Sequence, residues 1–394
     1  MIVWKCNLLM LWLSQLLVMA GYDALNPFIS LFMKEELGLT DPKTLAFFIS
    51  AFQSAALLGY GLSNPLWGAL GDKFGMKPML LRGTFLTAFL WPTMAYVKTP
   101  WTLVFIRFLT SCLAGTTSTS QMMVARTAPV ERQGFAQGVL TTAVWGGGMF
   151  GNVIGGFVIH YFDYKFAFWT CGIMYFLAGI FILFTQDAGT LRQPKQRVKG
   201  NKSPWWSQPQ TVWILIGLFF LMGILRKTEL PYVALRVAQI TTDNTAAYWT
   251  GIVSACVAMG AILSGVVFGR MIDKYPARSL MVLIMTGSGI FMCLQGLVPT
   301  LGLFTMTRTL CYFIAGAMQP LLQKQLTQCV STDRRGLMFG IANTSLSVGG
   351  VSASALGGLL MVQFGISGVF LGAGILTFLL FPLFYFGIGK GDKT

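Results

Sequence analysis

Apolar runs of about twenty residues, each long enough to cross a hydrocarbon layer as a helix, recur along this 394-residue chain and decide what it can become. Twelve are present, at about 7–33, 44–70, 78–97, 101–125, 134–161, 165–185, 210–235, 246–270, 278–298, 302–327, 336–363 and 366–388. In lipid every backbone N–H and C=O needs a partner inside the protein, so such runs fold as helices. The residue balance agrees: charged residues are 10% of the chain and mean hydropathy is +0.66, whereas a soluble domain carries about 25% charged residues. The longest connection, Gln186 to Pro209, leaves no room for a soluble catalytic domain. The first run is too long for a signal-peptide core and lacks a small-residue cleavage site, so it reads as a retained span. The expected fold class is an all-α integral membrane protein.

A net charge of +15 would suggest nucleic acid in a soluble chain. Here its distribution points to lipid instead. With the N-terminus cytoplasmic, nineteen Lys and Arg fall on the inner side and five on the outer side. Cytoplasmic loops collect basic residues, so both termini are expected inside a bacterial-type inner membrane, with no nucleic-acid partner. The seven cysteines have neither metal-ligand nor CxxC spacing and lie in or beside apolar runs, as small packing residues do.

An internal repeat organises the chain. Gly68, Asp72, Lys73, Phe74 and Lys77 return as Gly269, Asp273, Lys274, Tyr275 and Arg278, 201 residues later, and Arg107 and Gly115 return as Arg308 and Gly316 at the same offset. Gly155-Gly156 returns as Gly357-Gly358 after 202 residues, and Pro27 is answered by Pro231 after 204. Six spans per copy is an even number, so the copies share orientation as parallel repeats. Residues 1–190 and 210–394 are expected to form six-helix bundles joined by a basic linker, 191–209. Two such halves rocking around a site near the midplane are an arrangement for transport.

The segment after the second span reads Gly68-Ala-Leu-Gly-Asp72-Lys73-Phe-Gly75-Met-Lys77-Pro78. It resembles the signature loop of the major facilitator superfamily, and twelve spans, two halves and a basic centre extend the resemblance to the whole chain. Met76 stands where the family usually has a basic residue, and the second copy has Pro276 in place of Gly75. Asp72 and Asp273 with their basic neighbours are expected to act as a charge latch that favours one rocking state. The fifth span carries Gly147, Gly148, Gly151, Gly155 and Gly156. It looks like the antiporter motif of the drug:proton antiporter subfamily, with Asn152 at the family's proline. Its expected role is close helix packing against the eighth span, with Gly357 and Gly358 as counterparts. Arg107 matches an arginine of drug-exporting members, with Ser111 where they have glycine.

Two acids lie deep in spans. Asp23 is followed by Asn26 and Pro27, and Glu229 follows Arg226 and Lys227 just before Pro231. A charge at mid-bilayer costs about 2.5–3.5 kcal/mol on insertion scales and marks a pathway by default. The two acids and two bases sum to zero, so they are expected to meet near the axis between halves, as a substrate and proton site or as a structural ion-pair cluster. Phosphate-loop, HExxH and GxSxG motifs are missing, so no ATP-driven pump and no hydrolase is expected, and no metal or cofactor is assigned. The resemblance implies a monomeric secondary transporter that exports amphipathic compounds, with Asp23 or Glu229 taking up a proton. Arg226 and Lys227 keep open a second substrate class, an anionic or zwitterionic metabolite such as a siderophore or organic phosphate. A non-transporting receptor or embedded enzyme is the remaining class.

Overall fold

The computed structural model describes residues 2–129, 132–186, 208–241, 245–330 and 335–388. Every regular element among them is helical. In chain order these are α1 (Ile2–Asp23), α2 (Ile29–Glu35), α3 (Pro42–Phe74), α4 (Met76–Thr93), α5 (Pro100–Leu113), α6 (Thr116–Thr127), α7 (Gln133–Tyr161) and α8 (Tyr164–Leu183). They continue as α9 (Gln210–Lys227), α10 (Val233–Ile240), α11 (Ala246–Lys274), α12 (Ala277–Leu297), α13 (Leu301–Ala315), α14 (Met318–Cys329) and α15 (Arg335–Ile388). Among the described residues nine helical stretches are long and apolar enough to cross a membrane, and the last of them, Met338–Ile388, is broken at Gly365.

Several expected spans are discontinuous. The first run is interrupted between α1 and α2 by a short 3-10 turn, Asn26–Phe28, around Pro27. The seventh is interrupted between α9 and α10 by Leu230–Tyr232 around Pro231. Proline has no N–H to give the carbonyl four residues back and its ring crowds that carbonyl, so each run breaks there. The fourth run breaks between α5 and α6 at Gly115, whose φ of 97° is a left-handed value that only glycine takes freely. The tenth breaks between α13 and α14, where Gly316 keeps a helical φ of −57°. The segment after the second span is not an open loop: α3 runs through Asp72 and Lys73 to Phe74, and Gly75 alone, at φ 97°, turns the chain into α4. Pro276 makes the corresponding stop between α11 and α12 with an extended ψ of 137°.

The chain divides into two compact units. The first holds Met1–Arg192 with Val233–Ala258, and the second holds Gln193–Tyr232 with Met259–Thr394. Each has its own apolar core. Leu8, Leu11, Leu80, Met123, Leu140 and Ile182 pack in the first, and Phe219, Met222, Met281, Met285, Leu322 and Phe384 in the second.

The repeat reappears in the contacts inside each unit. Gly147 and Gly155 of α7 lie against the Leu16 and Ala24 carbonyl oxygens of the first span, while Gly349 and Gly357 of α15 lie against those of Phe220 and Thr228. These pairs are related by 202 residues on one side and 204 on the other. A Cβ added to Gly59 would fall 2.7 Å from the Phe108 carbonyl oxygen, and one added to Gly260 would fall 2.9 Å from that of Thr309, with both partners offset by 201. Small residues let these backbones touch, which holds helices together in lipid, where the hydrophobic effect does not. One expectation is corrected here. The fifth-span glycines Gly147, Gly151 and Gly155 pack against the first span, and Gly156 is the one that meets the eighth, at Ala247 and Gly251 of α11. Packing follows the side of α7 on which each glycine falls. Gly358 is buried in α15 beside Gly357.

Candidate functional site

Asp23 is the last residue of α1. Pro27, four residues on, has no N–H for the Asp23 carbonyl, so the helix breaks here and its negative end falls at a residue that carries a carboxyl group. The carboxylate lies over the glycine face of α7: a Cβ added to Gly148 would fall 2.5 Å from Asp23 Oδ2. Asn152 sits one turn further along α7 on that face, 9% exposed, and its Oδ1 is buried without a hydrogen bond. Asn26, three residues beyond Asp23, also buries its Oδ1 without one. Two amide oxygens and a carboxylate therefore flank one helix break.

Arg107, on α5, meets α1 at Tyr22, the residue before Asp23. It is 1% exposed and donates from Nη2 to the Tyr22 hydroxyl at 2.9 Å. Its guanidinium stands 5.0 Å from the Tyr22 ring centroid, 4.9 Å from that of Phe52 and 5.3 Å from that of Trp91. A planar, weakly hydrated guanidinium suits such a box of ring faces.

The second unit satisfies its repeat arginine with an anion. Arg308 Nη1 is 2.8 Å from Glu229 Oε2 and also donates to Gln295 Oε1 at 2.9 Å. The Tyr312 hydroxyl donates to Glu229 Oε1 at 2.6 Å. Arg308 and Glu229 are 2% and 0% exposed. This corrects the expectation that Arg226 and Lys227 balance Glu229. Arg226 donates to Gln319 Oε1 at 2.9 Å, while Lys227 ends α9 with its side chain exposed. The signal for Arg308 was present in the repeat, since it lies 201 residues after Arg107. Gln295, Tyr312, Tyr22, Phe52 and Trp91 are ordinary residues for a membrane span and carried no such signal.

The signature segments contact the last span of their own half. Lys77 Nζ donates to the Leu183 and Thr185 carbonyls, both at 2.7 Å, and so caps the end of α8. Its counterpart Arg278 stands 5.6 Å over the Tyr385 ring near the end of α15. Cations at helix C-termini are favourable placements. Gly269 meets open space and Lys274 is exposed. Gly68 and the side chains of Asp72, Lys73 and Asp273 lie outside what the structure describes. An apolar recess of about 540 Å³ between α9 and α15 is lined by Ile216, Phe220, Ile341, Thr344 and Val348 among others.

The family model of the Major Facilitator Superfamily matches residues 11–237 and again 230–393. Multidrug resistance protein MdtG of Proteus mirabilis is 25% identical over 372 residues, covering 93% of this chain and 92% of its own. The multi-drug resistance efflux pump PmrA of Streptococcus pneumoniae is 27% identical over 373 residues, with the same coverage of 93% and 92%. Among solved structures, a mutant of the nucleoside transporter NupG has a TM-score of 0.81 at 13% identity, covering 97% of this chain and 99% of its own. A D-xylose-proton symporter has a TM-score of 0.76 at 16% identity, covering 96% and 97%.

Proposed function

The chain belongs to the Major Facilitator Superfamily, and from that premise we propose that it is a secondary transporter that exports amphipathic small molecules by alternating access, in exchange for protons. The observation that carries export is collinearity: relatives named for multidrug efflux align over more than nine-tenths of both chains. The site supports it. Asp23 supplies an ionisable group at a broken helix, and Arg107 supplies a charge inside an aromatic box. In this reading a proton on Asp23 and bound substrate are alternatives, so binding of one favours release of the other. Asp72 and Asp273 act as the latch. Both termini lie in the cytoplasm, the membrane is an inner membrane, and the working unit is a monomer; the excess of Lys and Arg in the inner loops supports this orientation.

The test is efflux from proteoliposomes under an imposed pH gradient, with ethidium as the reporter. Wild type concentrates the dye against its gradient, while Asp23→Asn loses that ability and keeps dye exchange at equal pH. An Asp23→Asn protein that pumps as well as wild type moves the coupling role to Glu229. Asp72→Asn shifts the balance of rocking states, read as a changed rate of access from one side. The exposed Lys227 beside Arg226 favours a second reading, a carrier of anionic or zwitterionic metabolites. Uptake of an organic phosphate by the same vesicles, with no dye movement, replaces the first reading by the second.

A further inference from the structure

An apolar groove of about 340 Å³ runs between α4 and α8 of the first unit. Its floor forms because Gly172 of α8 has no side chain. A Cβ there would fall 2.6 Å from Pro92 Cγ, so the proline ring of α4 settles against bare backbone. Phe89, Trp169 and Phe176 stand exposed around that floor as its walls. The Trp169 indole N–H donates to the Tyr96 hydroxyl at 3.1 Å and ties α8 to the turn after α4 at one end of the groove. Tryptophan and tyrosine gather at the headgroup level of a bilayer, so this is the headgroup end.

Two cations stand at that end. Lys165 precedes Trp169 by one turn on the same face of α8, and Lys98 follows Tyr96 by two residues. Both are exposed, and neither enters an ion pair among the described residues. The nearby acids are engaged elsewhere: Asp163 accepts from the Phe166 N–H at the start of α8, and Glu35 accepts from the Tyr164 hydroxyl at 2.8 Å. With the N-terminus cytoplasmic, five basic residues fall on the outer side, and two of them stand at this groove. Enrichment in basic residues belongs to inner loops and does not account for this pair. We infer that the groove binds an anionic phospholipid, with an acyl chain against Gly172, Pro92 and the three rings and the phosphate between Lys98 and Lys165. Basic residues beside a bilayer attract anionic headgroups, and basic pockets between spans hold them. A second groove shows what selects charge. It lies between the two limbs of α15 and is larger, about 620 Å³, but residues 356–379 contain no charged side chain. An acyl chain fits there whatever its headgroup.

The site goes beyond the transport reading and holds whatever substrate is carried. The test is native mass spectrometry of the purified full-length protein in detergent, titrated with phosphatidylglycerol or with phosphatidylcholine. Wild type retains one phosphatidylglycerol saturably, with about tenfold preference over phosphatidylcholine. Lys98→Gln/Lys165→Gln removes the preference and leaves phosphatidylcholine retention as it was. Lys34→Gln/Lys43→Gln removes the same charge from the same side and keeps the preference. All four side chains are exposed, so the fold is unaffected. Phosphatidylglycerol brominated on its acyl chain quenches tryptophan fluorescence, and Trp169→Phe reduces that quenching. Equal retention of the two lipids by wild type, or a preference that Lys34→Gln/Lys43→Gln abolishes as well, overturns the site. Quenching unchanged in Trp169→Phe puts the chain elsewhere and overturns it too. So does displacement of the lipid by inorganic phosphate, which would make this a site for a free anion.

Discussion

Arg107 and Arg308 stand 201 residues apart in the repeat, and both are almost wholly buried. In the first unit the contacts around the guanidinium are a phenol and three ring faces, while in the second they are a carboxylate, an amide and a phenol. The difference is one of adaptability. An ion pair with matched hydrogen bonds holds both partners at one geometry and makes loss of either costly. Ring faces attract a cation over a range of positions and keep their apolar packing if it moves. The second unit therefore carries the locked arginine and the first the adjustable one, and the adjustable one bonds Tyr22, the residue before Asp23.

The sharpest way to break this comparison is to delete one member of the locked pair. Glu229→Ala should destabilise the protein by about 3–5 kcal/mol, the usual consequence of leaving a buried charge alone. Thermal unfolding in detergent measures it, and Glu229→Ala/Arg308→Met should recover most of the loss. Additive single-site effects would mean that the two side chains are not coupled. Next in size is the helix seam common to both halves. Gly155→Ala and Gly357→Ala each drive a methyl into a facing carbonyl and should cost about 1–3 kcal/mol. Similar losses from the two sites confirm the repeat in energetic terms, and a neutral change at either removes that site from the seam.

Arg107→Lys probes the adjustable side. The ammonium lacks the planar face that stacks on rings, and the expected loss is about 1 kcal/mol. Transport should fall much further than stability does, and equal falls would make Arg107 purely structural. The smallest effect concerns helix ends. The first unit caps α3, α5 and α8 with the side chains of Asp41, Thr99 and Asp163, while α12 and α13 start without a side-chain cap. The Thr44 hydroxyl, and then its N–H, hold the Asp41 carboxyl below its ordinary range. A depressed folded-state value means that the cap contributes above the unfolded value of about 3.9 and loses its contribution as pH falls through the folded value. Asp41→Ala should lower the melting temperature slightly at neutral pH and not at all in strong acid. A difference that grows on acidification would contradict the cap.

How far the sequence could be read depended on the kind of interaction. The apolar runs and the repeat were legible because they rest on composition and on Gly, Pro and Arg at fixed offsets, and the repeat explains why the Gly155–Ala24 contact is matched by Gly357–Thr228. The helix breaks were half legible: Pro27 and Pro231 announced theirs, but Gly115 breaks α5 from α6 through a backbone angle that spelling does not reveal. The site was least legible. Asp23 and Glu229 stood out as costly charges, yet the partner of Glu229 lies 79 residues away on another helix, and only three-dimensional packing selects Arg308 from among the cations. The glycine run misled for a similar reason. Its spacing says that some helix comes close, and not which one.

The pairing of Asp23 with the glycine face of α7 also fixes an order of events during synthesis. Gly148 emerges 125 residues after Asp23, and at ribosomal rates that interval is roughly 6–25 s. Throughout it the first span carries a carboxylate before its permanent neighbour exists. The second half closes its Glu229–Arg308 pair after 79 residues, a shorter exposure. The insertion machinery, or water beside it, must shelter Asp23 until the fifth span arrives. A chain truncated before Gly148 should therefore be a clearer target for membrane quality-control proteases than one truncated after Tyr161, where α7 is complete.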